Sequence, residues 1–76
     1  MRIIDLGIPY DTDDAILISI AKGRHLYYNS DYRWFLYHKK HRDSSITPLS
    51  DSEVRNWVSN NDREIADRYF GIQMEA

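Results

Sequence analysis

The sequence of 76 residues contains no cysteine. This absence excludes disulfide bonds, thiolate metal sites and cysteine nucleophiles, and it is consistent with a reducing compartment. Apolar runs are short: the longest, Ala15 to Ile18, is far below the roughly 20 residues that span a bilayer. The first residues, Met1 to Asp5, lack the apolar run and the small-residue cleavage site of a secretion signal. We therefore expect a soluble, cytoplasmic protein that does not associate with membranes.

Glycine is also scarce. The three glycines form no loop of the kind that cradles a phosphate, and no G-x-S-x-G motif presents a serine nucleophile. Asp11, Asp13 and Asp14 suggest a calcium loop, but Ile16 and Lys22 stand where an EF-hand needs Gly and Glu. A domain of this size has little room for an enclosed pocket beside its core. The sequence therefore predicts a protein that is not an enzyme and holds no cofactor.

Histidine is the remaining candidate for a metal ligand. His38 and His41 have a spacing compatible with metal binding, with His25 and Asp43 as further donors. The neighbouring lysines and arginine repel a cation, and no third ligand follows at a recognisable spacing. We interpret the two histidines as part of a solvated basic segment and predict no metal site.

Hydrophobic residues make up 42% of the chain and charged residues 29%, as in ordinary globular proteins. A chain of 76 residues suffices for one core, so we expect a single domain over residues 1–76. Six Tyr, two Trp and two Phe allow this short chain to bury a large area per residue. Charge is segregated along the chain, with a net charge of −3 for residues 1–21, +5 for residues 22–42 and −4 for residues 43–76.

Residues 15–21 are compatible with two structures. Thr12 as an N-cap and Gly23 as a terminator favour a helix, whereas isoleucines at every second position favour a strand. We favour the strand, with Lys22-Gly23 as a two-residue hairpin turn.

The remaining strands are predicted from β-branched and aromatic residues between turn signals. Residues 24–29 and 32–39 form two strands, and Ile46-Thr47 adds a short fourth one. Residues 2–8 form a short strand or an extended arm, which the Gly7-Ile8-Pro9 sequence terminates.

Two helices follow the strands. Ser50-Asp51-Ser52-Glu53 matches a capping box, and the helix that it starts carries an apolar stripe of Val54, Trp57 and Val58. This spacing predicts that Trp57 lies in the core. A second helix is predicted to begin at Asn61, to end at Gly71 and to bury Ile65, Tyr69 and Phe70. The predicted fold is α+β, an antiparallel β-meander of three to four strands packed against two short C-terminal helices.

The register of the two central strands depends on the turn between them. A two-residue turn at Ser30-Asp31 places Asn29 opposite Tyr32 and sorts the side chains into two faces, whereas a three-residue turn changes the assignment. One face is then apolar and contacts the helices through Ile16, Ile18, Ile20, Tyr27, Trp34 and Leu36. The opposite face carries a set that we call the basic-aromatic set: Arg24, Tyr28, Arg33, Phe35, Tyr37 and Lys39.

Rings and cations on one sheet surface are typical of surfaces that bind macromolecules. We predict that the basic-aromatic set binds a partner, and that the chain is a small non-catalytic protein that binds or inhibits a protein. The alternative is a single-stranded nucleic-acid-binding protein, which the net charge of −2 disfavours. This face instead needs no partner if the N-terminal segment covers it, through Ile3, Ile4, Leu6 and Ile8.

Residues 15–71 also resemble a loosely defined group of small bacterial, phage and plasmid proteins of uncharacterised function. The resemblance rests on Lys22-Gly23, Trp34-Phe35-Leu36-Tyr37, Pro48-Leu49-Ser50, Glu53, Trp57 and Tyr69-Phe70-Gly71. It implies a strand at 15–21 and an accessory protein of a mobile element, and it implies no activity.

Overall fold

The computed structural model describes residues 1–40 and 42–71. The strands are β1 (Arg2–Asp5), β2 (Ile8–Asp11), β3 (Ala15–Ala21), β4 (Arg24–Asn29), β5 (Trp34–His38) and β6 (Ser45–Leu49), and the helices are α1 (Asp51–Asn61) and α2 (Arg63–Phe70). The α+β prediction, with an antiparallel meander followed by two helices, is confirmed. Within the described ranges, neither helix is long and apolar enough to cross a membrane.

The meander has the strand order β3-β4-β5-β6, so each strand pairs with its neighbour in sequence. Residues 15–21 form a strand, as favoured above. Lys22 and Gly23 both have positive φ, 52° and 76°, which matches a two-residue turn between β3 and β4. The fourth strand is longer than predicted, because Ser45–Leu49 pairs along the whole of β5.

The N-terminal segment is a hairpin and not a single strand or arm. β1 and β2 pair antiparallel around Leu6 and Gly7, whose φ values are 51° and 79°. This left-handed backbone fits a tight two-residue turn, although leucine is an unusual residue there. Sequence reasoning missed β2 because Gly7 and Pro9 were interpreted as the end of a strand.

The predicted register of β4 and β5 is wrong by one residue. The turn contains three residues, Ser30-Asp31-Tyr32, and the Asn29 backbone N–H donates to the Arg33 carbonyl at 3.0 Å. The Asn29 side-chain oxygen accepts from the backbone N–H groups of Asp31 and Arg33, at 3.0 and 2.9 Å. Tyr32 takes the left-handed conformation with φ of 60°. This conformation is uncommon for tyrosine, so the sequence does not indicate it.

One face of the sheet, the helix face, packs against α1 and α2. Its core contains Leu26, Trp34 and Leu36 from the sheet and Val54, Val58, Ile65 and Ala66 from the helices. The prediction that Trp34 and Leu36 face the helices is confirmed. Trp57 is half-buried at the edge of this cluster, so the prediction that it is a core residue holds only in part.

The opposite face, the hairpin face, is covered by β1 and β2. Tyr10 packs edge-on against Phe35 with ring centroids 5.6 Å apart, and Ile46 completes the buried cluster. Ile3 and Ile8 pack against this cluster. The alternative in which the N-terminal segment covers this face is therefore confirmed for Ile3 and Ile8.

The helix termini follow the sequence closely. Ser50 and Glu53 form the predicted capping box, and the hydrogen bonds that Ser50 donates lower the pKa of the Glu53 carboxyl below its ordinary value. Gly71 ends α2 with φ of 62°, as predicted. The N-cap of the second helix is Asp62, one residue after Asn61, so the helix itself starts at Arg63.

Asp62 connects three elements. It is the C-cap of α1 and the N-cap of α2, where its side chain accepts from the Ile65 backbone N–H at 3.2 Å. It also accepts a hydrogen bond from the Ser19 hydroxyl of β3. Of the three burials predicted for α2, Ile65 is buried, Phe70 is partly buried against the helix-face core, and Tyr69 is exposed.

Candidate functional site

The structure divides the predicted basic-aromatic set between both faces and both ends of the sheet. Phe35 is completely buried on the hairpin face, where it stacks on Tyr27 with ring centroids 5.2 Å apart. Tyr37 lies on the same face, half-buried, and its hydroxyl donates to the Ser44 side chain at 3.3 Å. A ring without exposed surface offers no contact area to a ligand, so Phe35 is a core residue.

The other members lie elsewhere. Tyr28 pairs with Trp34 on the helix face, with ring centroids 4.4 Å apart, and is half-buried. Arg24 is exposed at the start of β4, Lys39 follows the end of β5, and Arg33 is exposed beside the three-residue turn. The single surface that the two-residue turn predicted is therefore wrong, because the register shift moves alternate residues to the other face.

The meander nevertheless gives each end of the sheet an excess of one sign of charge, with Asp43 as the exception at one end and Arg33 at the other. The β3–β4 turn and the β5–β6 loop lie at the same end, since Arg24 is paired with His38. We call this the basic end; its described cations are Lys22, Arg24, Lys39, Lys40 and Arg42. The acidic end is opposite, where β3 begins and β6 ends, and carries Asp13, Asp14, Asp31, Asp51 and Glu53. The charge blocks of the sequence thus become a polarity along the strands.

A cleft of about 310 Å³ lies towards the acidic end. Its charged lining residues are Arg2, Asp11, Asp14 and Asp31. Among residues 1–40 and 42–71, no group of three or more histidine, aspartate and glutamate side chains is arranged to hold a metal ion. Of the two histidines considered as ligands, His41 lies outside the described residues.

The outer edge of β3 is the candidate functional site. In the part of the chain that the structure describes, β3 pairs with β4 and with no other strand. Ile16, Leu17 and Ile20 leave 66%, 45% and 60% of their surfaces exposed. An edge strand presents a row of backbone N–H and C=O groups, and exposed apolar side chains beside that row favour addition of another strand.

The opposite edge strand differs. β6 contains Pro48, which has no backbone N–H and weakens any further pairing along that edge. β3 contains no proline and no charged residue over its seven positions. Of the two edges of this sheet, β3 therefore has the fewer features that oppose pairing with another strand.

A β-bulge in β3 decides which side chains share a face. The register shifts between Leu17 and Ser19, so that Ser19 is opposite Leu26 while Leu17 is opposite Tyr27. Leu17 and Ile20 consequently lie together on the hairpin face, although an unbulged strand would place them on opposite faces.

Sequence reasoning assigned Ile16 and Ile20 to the core, and the structure corrects both assignments. Their alternation was recognised, but neither the bulge nor the position of β3 at the sheet edge has a signal in the sequence.

Comparison with known proteins gives no relative for this chain: no family model, curated protein or solved structure matches it.

Proposed function

We propose that this protein is a non-catalytic interaction module that binds a protein partner through the outer edge of β3. The observation that supports the proposal is an apolar edge strand with exposed Ile16, Leu17 and Ile20 and without a pairing strand among the described residues. A partner that adds an extended segment gains backbone hydrogen bonds from the edge and apolar contacts from both faces.

The chemistry of β3 favours a protein over a nucleic acid. Its seven side chains are apolar except for Ser19, which already donates to Asp62. Phosphate groups require cations, and the acidic residues Asp13 and Asp14 lie at the beginning of this strand. An extended polypeptide matches both the hydrogen-bonding edge and the exposed isoleucines.

The test uses charged substitutions with a matched control. Ile16→Lys places a charge on the β3 edge, and Ile4→Lys places the same charge on the outer side of the hairpin, at a side chain that is equally exposed (66% and 67%). A protein captured from the source cell by the wild type is purified, and its affinity is measured by calorimetry against all three chains. We expect Ile16→Lys to abolish binding and Ile4→Lys to leave it unchanged.

Hydrogen exchange locates the partner on the wild-type chain. Binding at the edge should protect β3 amides that exchange freely in the unbound protein. If the purified partner binds Ile16→Lys as tightly as the wild type, or protects another element and not β3, the proposal is wrong.

A second candidate function, single-stranded nucleic-acid binding, rests on the basic end. Five cations and Asp43 lie there, at the same end of the sheet as His25 and Tyr37, whose ring centroids are 5.8 Å apart. Binding of an oligonucleotide should weaken steeply with salt and fall further in a Lys39→Glu, Lys40→Glu variant. Oligonucleotide binding that is lost in this variant but kept in Ile16→Lys would favour this candidate over the first.

A further inference from the structure

We propose that the strand that pairs with the β3 edge is β3 of a second copy of this chain, in antiparallel orientation. This inference rests on the proposed function of β3 as the binding edge and names its partner. The resulting dimer joins two four-stranded sheets into one continuous sheet through a two-fold axis.

In this orientation, the β3 side chains of one copy are complementary to the β3 side chains of the other. Leu17 and Ile20 both lie on the hairpin face, because they are opposite Tyr27 and His25, which pair with Phe35 and Tyr37. With the two-fold axis between Ile18 and Ser19, Leu17 of each copy is opposite Ile20 of the other, and the two pairs lie on one face. Both side chains lose exposed apolar surface, which is the main gain of such an interface.

The ends of β3 carry opposite charges. Asp13 and Asp14 precede the strand, whereas Lys22 and Arg24 follow it. Antiparallel pairing brings the acidic start of each strand beside the basic end of the other. Parallel pairing would instead place like charges together, which is unfavourable.

The alternative self-association through β3 and β6 is disfavoured. Pro48 interrupts the hydrogen-bonding row of β6, and a contact between two different edges does not close but continues into a filament. A β3–β3 contact satisfies both free edges at once and leaves the Pro48-containing edges outermost.

The experiment measures self-association of the purified full chain by sedimentation equilibrium, over about 1 μM to 1 mM, where weak interfaces dissociate. We expect a monomer–dimer equilibrium. Lys22→Asp and Asp14→Lys should each raise the dissociation constant more than about tenfold, because each variant places like charges together twice in the dimer. Asp tolerates the left-handed backbone at position 22, so this variant keeps the turn.

Two further measurements test the arrangement. An equimolar mixture of the Lys22→Asp and Asp14→Lys chains should form a heterodimer, because each charge again faces its opposite, and the doubly substituted chain should recover the homodimer. Lys39→Asp, a charge reversal in the β5–β6 loop at the same basic end, is the control and should leave the dissociation constant unchanged.

The outcomes separate this inference from the proposed function. A monomer at all concentrations, or a dimer that Ile16→Lys and both charge reversals leave intact, overturns the inference. If the chain is monomeric but a purified foreign protein protects the β3 amides, the proposed function stands without the inference. If the chain is monomeric and β3 is never protected, both are wrong. A dimer that shows charge-swap rescue confirms the inference.

Discussion

One face of the four-stranded sheet is covered by two helices and the other by a single hairpin, and the two covers bury different amounts of apolar surface. The helices contribute Val54, Val58 and Ala66, which have no exposed surface, together with Ile65. The hairpin contributes Tyr10 as its buried residue, with Ile3 and Ile8 partly buried beside it.

The hairpin also leaves much of its own apolar surface in solvent. Ile4 and Leu6 are 67% and 95% exposed. Because a segment held by few buried contacts opens at a lower free energy than the whole domain, we infer that the hairpin separates from the sheet before the helices do. The helices bury more apolar side chains than the hairpin does, so we expect the helix face to supply most of the stability.

The largest effect is expected where the helix face is broken. Leu26→Ala removes a side chain that has no exposed surface at the centre of the larger cluster. We expect a loss of about 2–5 kcal/mol in the free energy of unfolding, close to the whole stability of so small a domain. Chemical denaturation measures it, with Ile4→Ala as the control at a side chain that is 67% exposed and lies outside the β3 edge. Equal effects of the two substitutions would contradict the assigned faces.

A smaller and more local effect is expected on the hairpin face. Tyr10→Ala removes the edge-on contact with Phe35, so β1 and β2 should open while the helices remain folded. Hydrogen exchange should accelerate about tenfold or more in β1 and β2, with little change in α1 and α2. Uniform acceleration in all elements would show that the two covers form one cooperative unit.

A moderate effect on the helix face is expected at the N-terminus of α1. In Ser50→Ala, the Glu53 backbone N–H loses the side-chain oxygen that accepts from it at 3.2 Å. We expect a cost of about 0.5–2 kcal/mol, detected as a lower denaturation midpoint. Ser59→Ala is the control, since Ser59 lies in the interior of the same helix, where its hydroxyl donates to the Arg55 carbonyl and not to the cap. An unchanged midpoint for Ser50→Ala would mean that the helix begins at another residue.

The smallest expected effect is an increase in the stability of the hairpin. Leu6 has φ of 51°, which is unfavourable for leucine, whereas Asn-Gly is the preferred pair for such a turn. Leu6→Asn should therefore stabilise the hairpin by about 0.5–1 kcal/mol and slow exchange of its amides. Ile4→Asn, at an exposed position with extended backbone, should not stabilise it. A loss of stability in Leu6→Asn would mean that the Leu6 side chain contributes contacts to the fold.

Much of the fold could be predicted from local signals. The β3–β4 turn is encoded by Lys22-Gly23, the start of α1 by the Ser50 capping box, and the end of α2 by Gly71. Each of these signals acts on the backbone of a few residues. Glycine tolerates positive φ, and the Ser50 side chain accepts a hydrogen bond from an amide in the first helical turn. The N-terminal hairpin was missed because Leu6 takes a conformation that its side chain disfavours.

The candidate site could not be predicted for the same kind of reason. A single extra residue in the turn at Tyr32 changes which face Phe35 and Tyr37 occupy, and the bulge between Leu17 and Ser19 does the same for β3. Since side chains alternate strictly along a strand, an error of one residue exchanges the two faces. The position of β3 at the edge depends on long-range packing, which the sequence of a single strand does not contain.

Ser19 and Asp62 are joined by a hydrogen bond across 43 residues of sequence, whereas each strand of the meander pairs with the next. Short loops close with less loss of entropy than long ones, so we expect the hairpins to form before the α1–α2 corner docks on β3. An interaction made after the rate-limiting step slows unfolding without accelerating folding. This corner should therefore control how long the folded chain persists, while the turns control how quickly it forms.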